Sequence, residues 1–403
     1  MTRPGVGLPL DQMLFAAANF LPLLALGSVM EASDFGLVAV FFTAISGTAL
    51  LARSWTGIPA LLEPQDQESP AVALSLIAGL VFAVVGVIAV LILAAPSPGA
   101  YASVALMAGT PFFFAHDASR HTLMGTGDVR ELLQLGLIWL AVESSLLIAA
   151  LLIAEIRFPA MSIAWTAGAV AAFAFRRPQV TLKRLSQWRA AVGATARPQF
   201  ADAVLNTLRQ QGHVFLLAVV SGLAITGSYR LAIGVFGPAT MAVLGWRNHS
   251  IVALKSGSIS ALSKARLWAI PMAIGLTVMI AVVLVPDSLA REISGNTEAD
   301  GLFRALGFMV FLAPTDSFSQ ATLIASDRSN VVAKVRVLTA AFWLIPLVVW
   351  GPETTAELSY LLILSASLSS ALWMLAAFIG RASFVSADVA VPRPSETRSM
   401  NRV

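Results

Sequence analysis

Long apolar runs, separated by short polar segments, recur along the whole chain. Each run approaches the roughly 20 residues that an α-helix needs to cross a hydrocarbon core about 30 Å thick. The pattern predicts twelve spans, near residues 10–30, 34–52, 71–95, 99–115, 132–154, 158–175, 200–225, 229–246, 267–286, 302–322, 335–350 and 357–380. The intervals between these spans leave no stretch long enough for a soluble domain.

The amino-acid composition supports the same interpretation. Hydrophobic residues make up 57% of the chain and charged residues only 12%, whereas soluble domains are about a quarter charged. We therefore expect an all-α polytopic membrane protein with about 12 transmembrane helices. The first run contains Asn19 and Pro22 and lacks a small-residue cleavage site, so we interpret it as a retained span rather than a secretory signal.

Charged residues separate onto the two ends of the predicted spans. One end, here called the basic end, carries 21 of the 26 lysines and arginines: Arg3, Arg53, Arg120, Arg130, Arg176, Arg177, Lys183, Arg184, Arg189, Arg197, Arg247, Lys255, Lys264, Arg266, Arg328, Lys334, Arg336, Arg381, Arg393, Arg398 and Arg402. The other, the acidic end, carries Arg157, Arg230, Arg291, Arg304, Glu31, Asp34, Glu155, Asp287, Glu292, Glu298, Asp300, Glu353 and Glu357. Because cytoplasmic loops are enriched in Lys and Arg, both termini are predicted to be cytoplasmic.

The longest basic connection, residues 176–199, divides the chain into two parts. Six basic residues accompany Leu182, Leu185 and Trp188 at helical spacing. This pattern fits either an interfacial helix on anionic headgroups or a solvated linker. We predict an N-terminal six-helix lobe at 1–175, this linker, a C-terminal six-helix lobe at 200–382, and a disordered cytoplasmic tail at 383–403.

The two parts also align as an internal repeat. A shift of 194 residues places Phe35 on Tyr229 and Arg53 on Arg247, and farther on a shift of 200 places Thr122 on Thr322. Both copies begin at the basic end, so the repeat would be parallel, with its axis along the membrane normal. This predicts two six-helix lobes around a central cavity.

A polar stripe marks the seventh predicted span. Asp202, Asn206, Arg209 and His213 recur at i, i+4, i+7 and i+11, with Gln210 beside them. This spacing places them on one face of a helix. They either line a cavity for an anionic ligand or mark the cytoplasmic end of a helix where Asp202 pairs with Arg209.

Other polar residues at membrane depth are weaker candidates. Arg230, at the acidic end, is a candidate contact for an emerging ligand, so the cavity candidates are Arg209, His213, Asn206, Gln210 and Arg230. Glu143 and Asp316 are candidates for ion coupling, or for hydrogen bonds between helices. Asp11 is interpreted as interfacial and structural. The cluster of His116, Arg120, His121 and Arg130 is interpreted as fixing topology.

Several classes of chemistry have no support in the sequence. The chain contains no cysteine and four histidines, so a disulfide or a zinc site is not expected. Motifs for nucleotide hydrolysis, zinc proteolysis and serine hydrolysis are absent. We therefore expect no enzyme activity, no cofactor, no metal and no nucleic-acid partner.

Three stretches carry a family resemblance. "ASDFGLVAVFFTAISGTALLARSW" resembles an opening in which a short x-x-F-G turn joins spans one and two, and "TGSYRLAIGVFGPATMAVLGW" is similar to the matching element that opens the second half. "QATLIASDRSNVVAKVRV" resembles a small-residue turn with a basic flank between spans ten and eleven. In these features the chain resembles the polysaccharide-transporter branch of the multidrug/oligosaccharidyl-lipid/polysaccharide flippase superfamily.

The resemblance implies a function as well as a fold. It implies a transporter in the bacterial cytoplasmic membrane that flips a lipid-linked oligosaccharide by alternating access, with membrane lipids, a glycan polymerase and glycosyltransferases as partners. A single arginine and a single histidine are a thin lining for a pyrophosphate, so two alternatives stay open. These are an ion-coupled small-molecule or drug antiporter of similar architecture, and a membrane scaffold that transports nothing.

Overall fold

Twelve long helices make up the described part of the computed structural model. It describes residues 7–57, 59, 70–152, 157–178, 180–183, 185–255, 261–285, 300–326 and 328–388. The helices are α1 (Gly7–Gly27), α2 (Ala32–Trp55), α3 (Ala71–Leu93), α4 (Pro98–Thr126), α5 (Val129–Leu152), α6 (Arg157–Arg176), α7 (Leu185–Val220), α8 (Leu223–Lys255), α9 (Ala261–Leu284), α10 (Asp300–Ala325), α11 (Ser329–Trp350) and α12 (Thr355–Asp388). Each predicted span coincides with one of them.

Eight of the described helices are long and apolar enough to cross a membrane: α1, α2, α3, α5, α6, α9, α11 and α12. The helix α4 is long but less hydropathic, because it carries His116, Asp117 and Arg120. All three side chains are buried. The polar groups of α4 therefore face protein rather than lipid.

Several helices extend past their predicted bounds, among them α7 and α12. The helix α7 begins at Leu185, inside the connection predicted as a linker. Trp188 is buried there against Ala71 and Leu74 of α3, and this packing fixes the start of the helix. The helix α12 continues past Ser383 to Asp388, inside the tail predicted as disordered; neither Gly nor Pro occurs between Ser383 and Pro392. The rest of the predicted tail lies outside the described residues.

The first six helices and the last six make largely the same contacts. Within the first half (α1–α6), α4 packs on α2, α3 and α6, and α1 packs on α5. Within the second half (α7–α12), α10 packs on α8, α9 and α12, and α7 packs on α11. Each half surrounds its own hydrophobic cluster, centred on Trp139 and Trp165 in the first and on Phe236 and Trp343 in the second.

Contacts between helix termini show which termini share an end. At the acidic end, the Gly99 amide of α4 donates to Asp34 Oδ1 of α2, 3.2 Å away. At the basic end, Arg176 of α6 contacts Glu131 of α5, with Nε and Oε1 3.3 Å apart. These two contacts place the starts of α2 and α4 at one end and the start of α5 beside the end of α6, as the charge pattern predicts.

Candidate functional site

The two halves meet where α1 and α2 contact α7 and α8. We call this contact surface the seam. Near the middle of the seam, Gly47 of α2 faces Thr207 and Gln211 of α7, and its missing Cβ would lie 3.1 Å from Thr207 Cγ2. In a transporter with two moving halves, side chains on this surface are the ones that change surroundings during the cycle.

Arg230 is a buried cation on the seam. It lies two turns into α8 and is only 7% exposed. Its guanidinium carbon is 5.7 Å from the ring centroid of Phe42, on α2 of the other half. Among the described residues, Arg230 Nε has no hydrogen-bond partner and the guanidinium has no carboxylate within ion-pair distance. A charge buried without a counter-ion is costly, so its retention indicates a use.

His213 packs against Tyr229, the residue that precedes Arg230 in α8. Its ring lies 5.2 Å from that of Tyr229, nearly perpendicular to it, and 6.3 Å from that of Trp343 on α11. The His213 ring is buried inside the second half. His213 therefore lies within the second half, whereas Arg230 faces Phe42 of the first half.

The remaining cavity candidates belong to α7. Asn206, Arg209 and Gln210 are helical residues of this element, but their side chains lie outside the described set. Their role stays a prediction. Two further polar groups were missed by sequence reasoning: Thr43, next to Phe42, and Gln211 on α7, both buried. Thr and Gln within apolar spans carry no charge signal, so only the helix pairing reveals that they face the seam.

The two ion-coupling candidates lie in different halves. Glu143 of α5 is fully buried, one turn from Trp139, and neither of its carboxyl oxygens has a hydrogen-bond partner among the described residues. Asp316 of α10 accepts a hydrogen bond from Ser370 Oγ of α12. The structure therefore does not bring these two carboxyl groups into one site.

A network of buried ion pairs joins α1, α2 and α4 at the basic end. The Asp117 carboxylate accepts two hydrogen bonds from Arg53, from Nε at 2.9 Å and from Nη2 at 3.0 Å. Asp11 pairs with Arg120, which also lies 3.5 Å from Asp117 and rests on the Phe15 ring at 3.7 Å. Two carboxylates thus balance two guanidiniums. Such a network stabilises three helices of the first half as one body.

This network adds pairings to the sequence interpretation of the same residues. Asp11 is fully buried in its ion pair, in agreement with a structural role, and His116, Arg120 and His121 are buried while Arg130 is exposed. The partners lie 64 and 109 residues apart along the chain, so local spacing could not pair them. The available signal was that Arg53 and Arg120 were both assigned to the basic end.

The arginine pairing of the first half has a counterpart in the second. Arg53 of α2 binds Asp117 of α4, and Arg247 of α8 donates through Nη1 to Gln320 Oε1 of α10 at 3.2 Å. Arg53 and Arg247 are the residues that the 194-residue shift aligned. In both halves, an arginine at the basic end of the second helix therefore binds the fourth helix.

Comparisons with known proteins identify the fold. Neither a protein-family profile nor a curated protein sequence matches the chain. The chain is similar to a solved structure of a multidrug resistance MATE family transporter of the MOP superfamily in the inward-facing conformation, with 15% identity over 94% of this chain and 96% of that one and a TM-score of 0.71. An outward-facing structure of such a transporter gives 14% identity, 96% coverage of both chains and a TM-score of 0.66.

A third similar structure has an unusual pocket. It is a MOP superfamily transporter from Pyrococcus furiosus, described as having a binding pocket of reverse polarity that suggests a different function. It shares 13% identity over 95% of each chain, with a TM-score of 0.59. Together these likenesses establish that the chain has the all-α, MATE-like fold of integral membrane transporters.

Proposed function

We propose that this protein is an alternating-access transporter that flips a lipid-linked oligosaccharide across the bacterial cytoplasmic membrane. The observation that carries the proposal is Arg230, a cation buried on the seam between the halves with no acidic partner among the described residues. The two halves would be two lobes around a central cavity, with both termini in the cytoplasm.

The charge on the seam favours an anionic cargo. Two described carboxylates bind partners in their own halves: Asp11 forms an ion pair with Arg120, and Asp316 accepts a hydrogen bond from Ser370. A pyrophosphate that entered the seam would supply the counter-ion that Arg230 lacks, and a guanidinium binds phosphate oxygens bidentately. The similar transporter from Pyrococcus furiosus has a binding pocket of reverse polarity that suggests a different function, so pocket charge varies among proteins of this fold.

Other residues would complete the transport cycle. Arg209, His213, Asn206 and Gln210 are proposed to line the path from the basic end, and Asp316 and Glu143 to couple transport to an ion. The cargo requires membrane glycosyltransferases that build it and a polymerase that consumes it. These enzymes are the proposed partners.

A drug antiporter is the second candidate function. It is favoured by the similarity to multidrug transporters and by Glu143, whose buried carboxyl group could respond to an ion. Arg230 opposes it, because a cationic drug on the seam would meet a like charge in a low-dielectric region.

Binding of farnesyl pyrophosphate to the purified protein tests the role of Arg230. We expect Arg230→Ala to weaken binding about tenfold or more, since a charge-assisted hydrogen bond contributes about 1.5–3 kcal/mol. Arg230→Lys should retain part of the affinity, and Arg304→Ala, at an exposed arginine of α10, should retain all of it. Equal binding by wild type and Arg230→Ala would remove Arg230 from the site. Binding of neither farnesyl pyrophosphate nor ethidium would favour a scaffold.

A further inference from the structure

The helices α2 and α8 cross in direct backbone contact at the acidic end. A Cβ added to Gly36 would lie 1.9 Å from the Leu223 carbonyl oxygen, and one added to Gly227 would lie 2.6 Å from the Ala32 carbonyl oxygen. Real Cβ atoms do not approach backbone this closely. Glycine is therefore required at both positions, because even the Cβ of alanine would clash. Close approach of membrane helices at small residues is a common packing mode.

The crossing is symmetric. Adding 191 to Ala32 gives Leu223, and adding 191 to Gly36 gives Gly227, so each half offers the other the same pair of groups. The Arg53 and Arg247 contacts follow a shift of 194 instead. The helix α8 therefore has about one turn more than α2 between the crossing and the arginine. A self-complementary contact of this kind opens or closes as a unit when the two halves rotate.

The crossing lies over the buried cation. Gly227 is three residues, about one turn, before Arg230 on α8, on the side of the acidic end. Thr226, Gly227, Ser228 and Tyr229 are all buried. The path from the acidic end to Arg230 is therefore covered by the contact of α2 with α8.

The same end is closed a second time, between α1 and α8. Leu231 is 2% exposed, and its Cδ1 would lie 2.6 Å from a Cβ on Gly27. Toward the basic end Asp11 binds Arg120 and Trp246 binds the Leu267 carbonyl at 2.9 Å, each within its own half. Across the seam at that end, the rings of Trp55 and Phe200 lie 6.2 Å apart, with no comparable backbone crossing among the described glycines.

We propose that the glycine crossing of α2 and α8 at Gly36 and Gly227 is the outer gate of the transport path, and that it keeps Arg230 from the exterior until the halves separate. The proposal rests on the proposed alternating access, but not on the identity of the cargo. Side chains larger than hydrogen at either glycine hold the two helices apart and shift the population toward the open gate.

The chain contains no cysteine, so single cysteines can report the state of the gate. Leu231→Cys is introduced as a reporter and labelled with a membrane-impermeant maleimide on intact spheroplasts, with exposed Ser33→Cys as the fully accessible reference. We expect slow labelling at position 231 in the otherwise unchanged protein. Addition of Gly36→Val or Gly227→Val should raise the rate at least about tenfold.

A tight glycine within one half provides the matched control. A Cβ on Gly99 would lie 2.5 Å from the Asp34 carbonyl oxygen, at the same end but between α2 and α4 of the first half. Gly99→Val should therefore leave labelling of position 231 unchanged. Equal labelling rates in the Gly36→Val, Gly227→Val and Gly99→Val proteins would overturn the gate.

A disulfide across the seam keeps the proposal testable if the valine variants fail to fold. The pair Gly27→Cys and Leu231→Cys should oxidise readily and stop transport of a fluorescent lipid-linked glycan, and reduction should restore it. The pair Asp34→Cys and Gly99→Cys, within the first half, should oxidise without inhibition. Full transport by the 27–231 disulfide form contradicts the gate, whereas absence of transport in the wild type contradicts the proposed function and leaves the labelling result valid.

Discussion

The buried charged side chains of this protein fall into two groups, those with a partner of opposite charge and those without one among the described residues. The carboxylates of Asp11 and Asp117 are balanced by Arg120 and Arg53, so their charges are used to hold helices together. Arg230 has no such counterpart among the described residues and faces the other half. The difference between a paired and an unpaired buried charge separates a structural group from a candidate binding group.

Removal of one partner from the buried network should destabilise the fold. Arg120→Ala leaves Asp11 buried without its counter-ion, so we expect a loss of about 3–5 kcal/mol in the free energy of unfolding. Titration with SDS in mixed micelles measures this loss. The double variant Asp11→Leu with Arg120→Met should recover most of it, because no charge then stays unpaired. A double variant as unstable as Arg120→Ala would show that the pair contributes more than charge balance.

Substitution at Glu143 should separate stability from coupling. Gln has nearly the shape of Glu, and the Glu143 carboxyl makes no hydrogen bond with the described residues. Glu143→Gln should therefore change the unfolding free energy by less than about 1 kcal/mol. Under the proposed coupling role, the same variant should lose the dependence of transport on an imposed ion gradient. A variant that is fully coupled would make Glu143 structural.

At the scale of helices, hydropathy predicted the elements well. Each predicted span coincides with a described helix, and eight of these helices are long and apolar enough to cross a membrane, because long apolar runs have few alternatives to a membrane helix. Their partners were not predictable. The network around Asp117 and the crossing at Gly36 depend on which helices pack together, and apolar helix surfaces carry little pairing information. For the same reason the polar stripe on α7 did not include Gln211, which faces Gly47 across the seam, and the cavity role of His213 stays a prediction.

The start of α7 depends on one tryptophan. Trp188 is 3% exposed and packs on Ala71 and Leu74 of α3. Trp188→Ala should release this segment and make the connection between the halves more sensitive to trypsin at exposed Arg177, Lys183 and Arg189. Limited proteolysis in detergent, followed by gel electrophoresis, measures the rate of the cut into two halves. An unchanged rate would mean that Trp188 does not hold the segment.

At the scale of the whole molecule, two similar sets of helices meet along one seam. The charge pattern and the repeat predicted alternating helices and an approximate internal symmetry. The similarity to a solved MATE transporter structure covers 94% of the chain. Neither source identifies the cargo, because distant transporters share architecture while their pockets differ. The cargo must be inferred from the seam, where Arg230 supplies a positive charge.

The central claim is that this seam transports an anionic, lipid-linked glycan. It is tested most directly in proteoliposomes that contain a fluorescent polyprenyl pyrophosphate N-acetylglucosamine, with dithionite quenching as the measure of flipping and ethidium uptake as the parallel assay. We expect rapid flipping by the wild type, a rate reduced about tenfold or more in Arg230→Ala, an unchanged rate in Arg304→Ala, and no ethidium uptake. Ethidium uptake without glycan flipping would contradict the proposal and favour a drug antiporter.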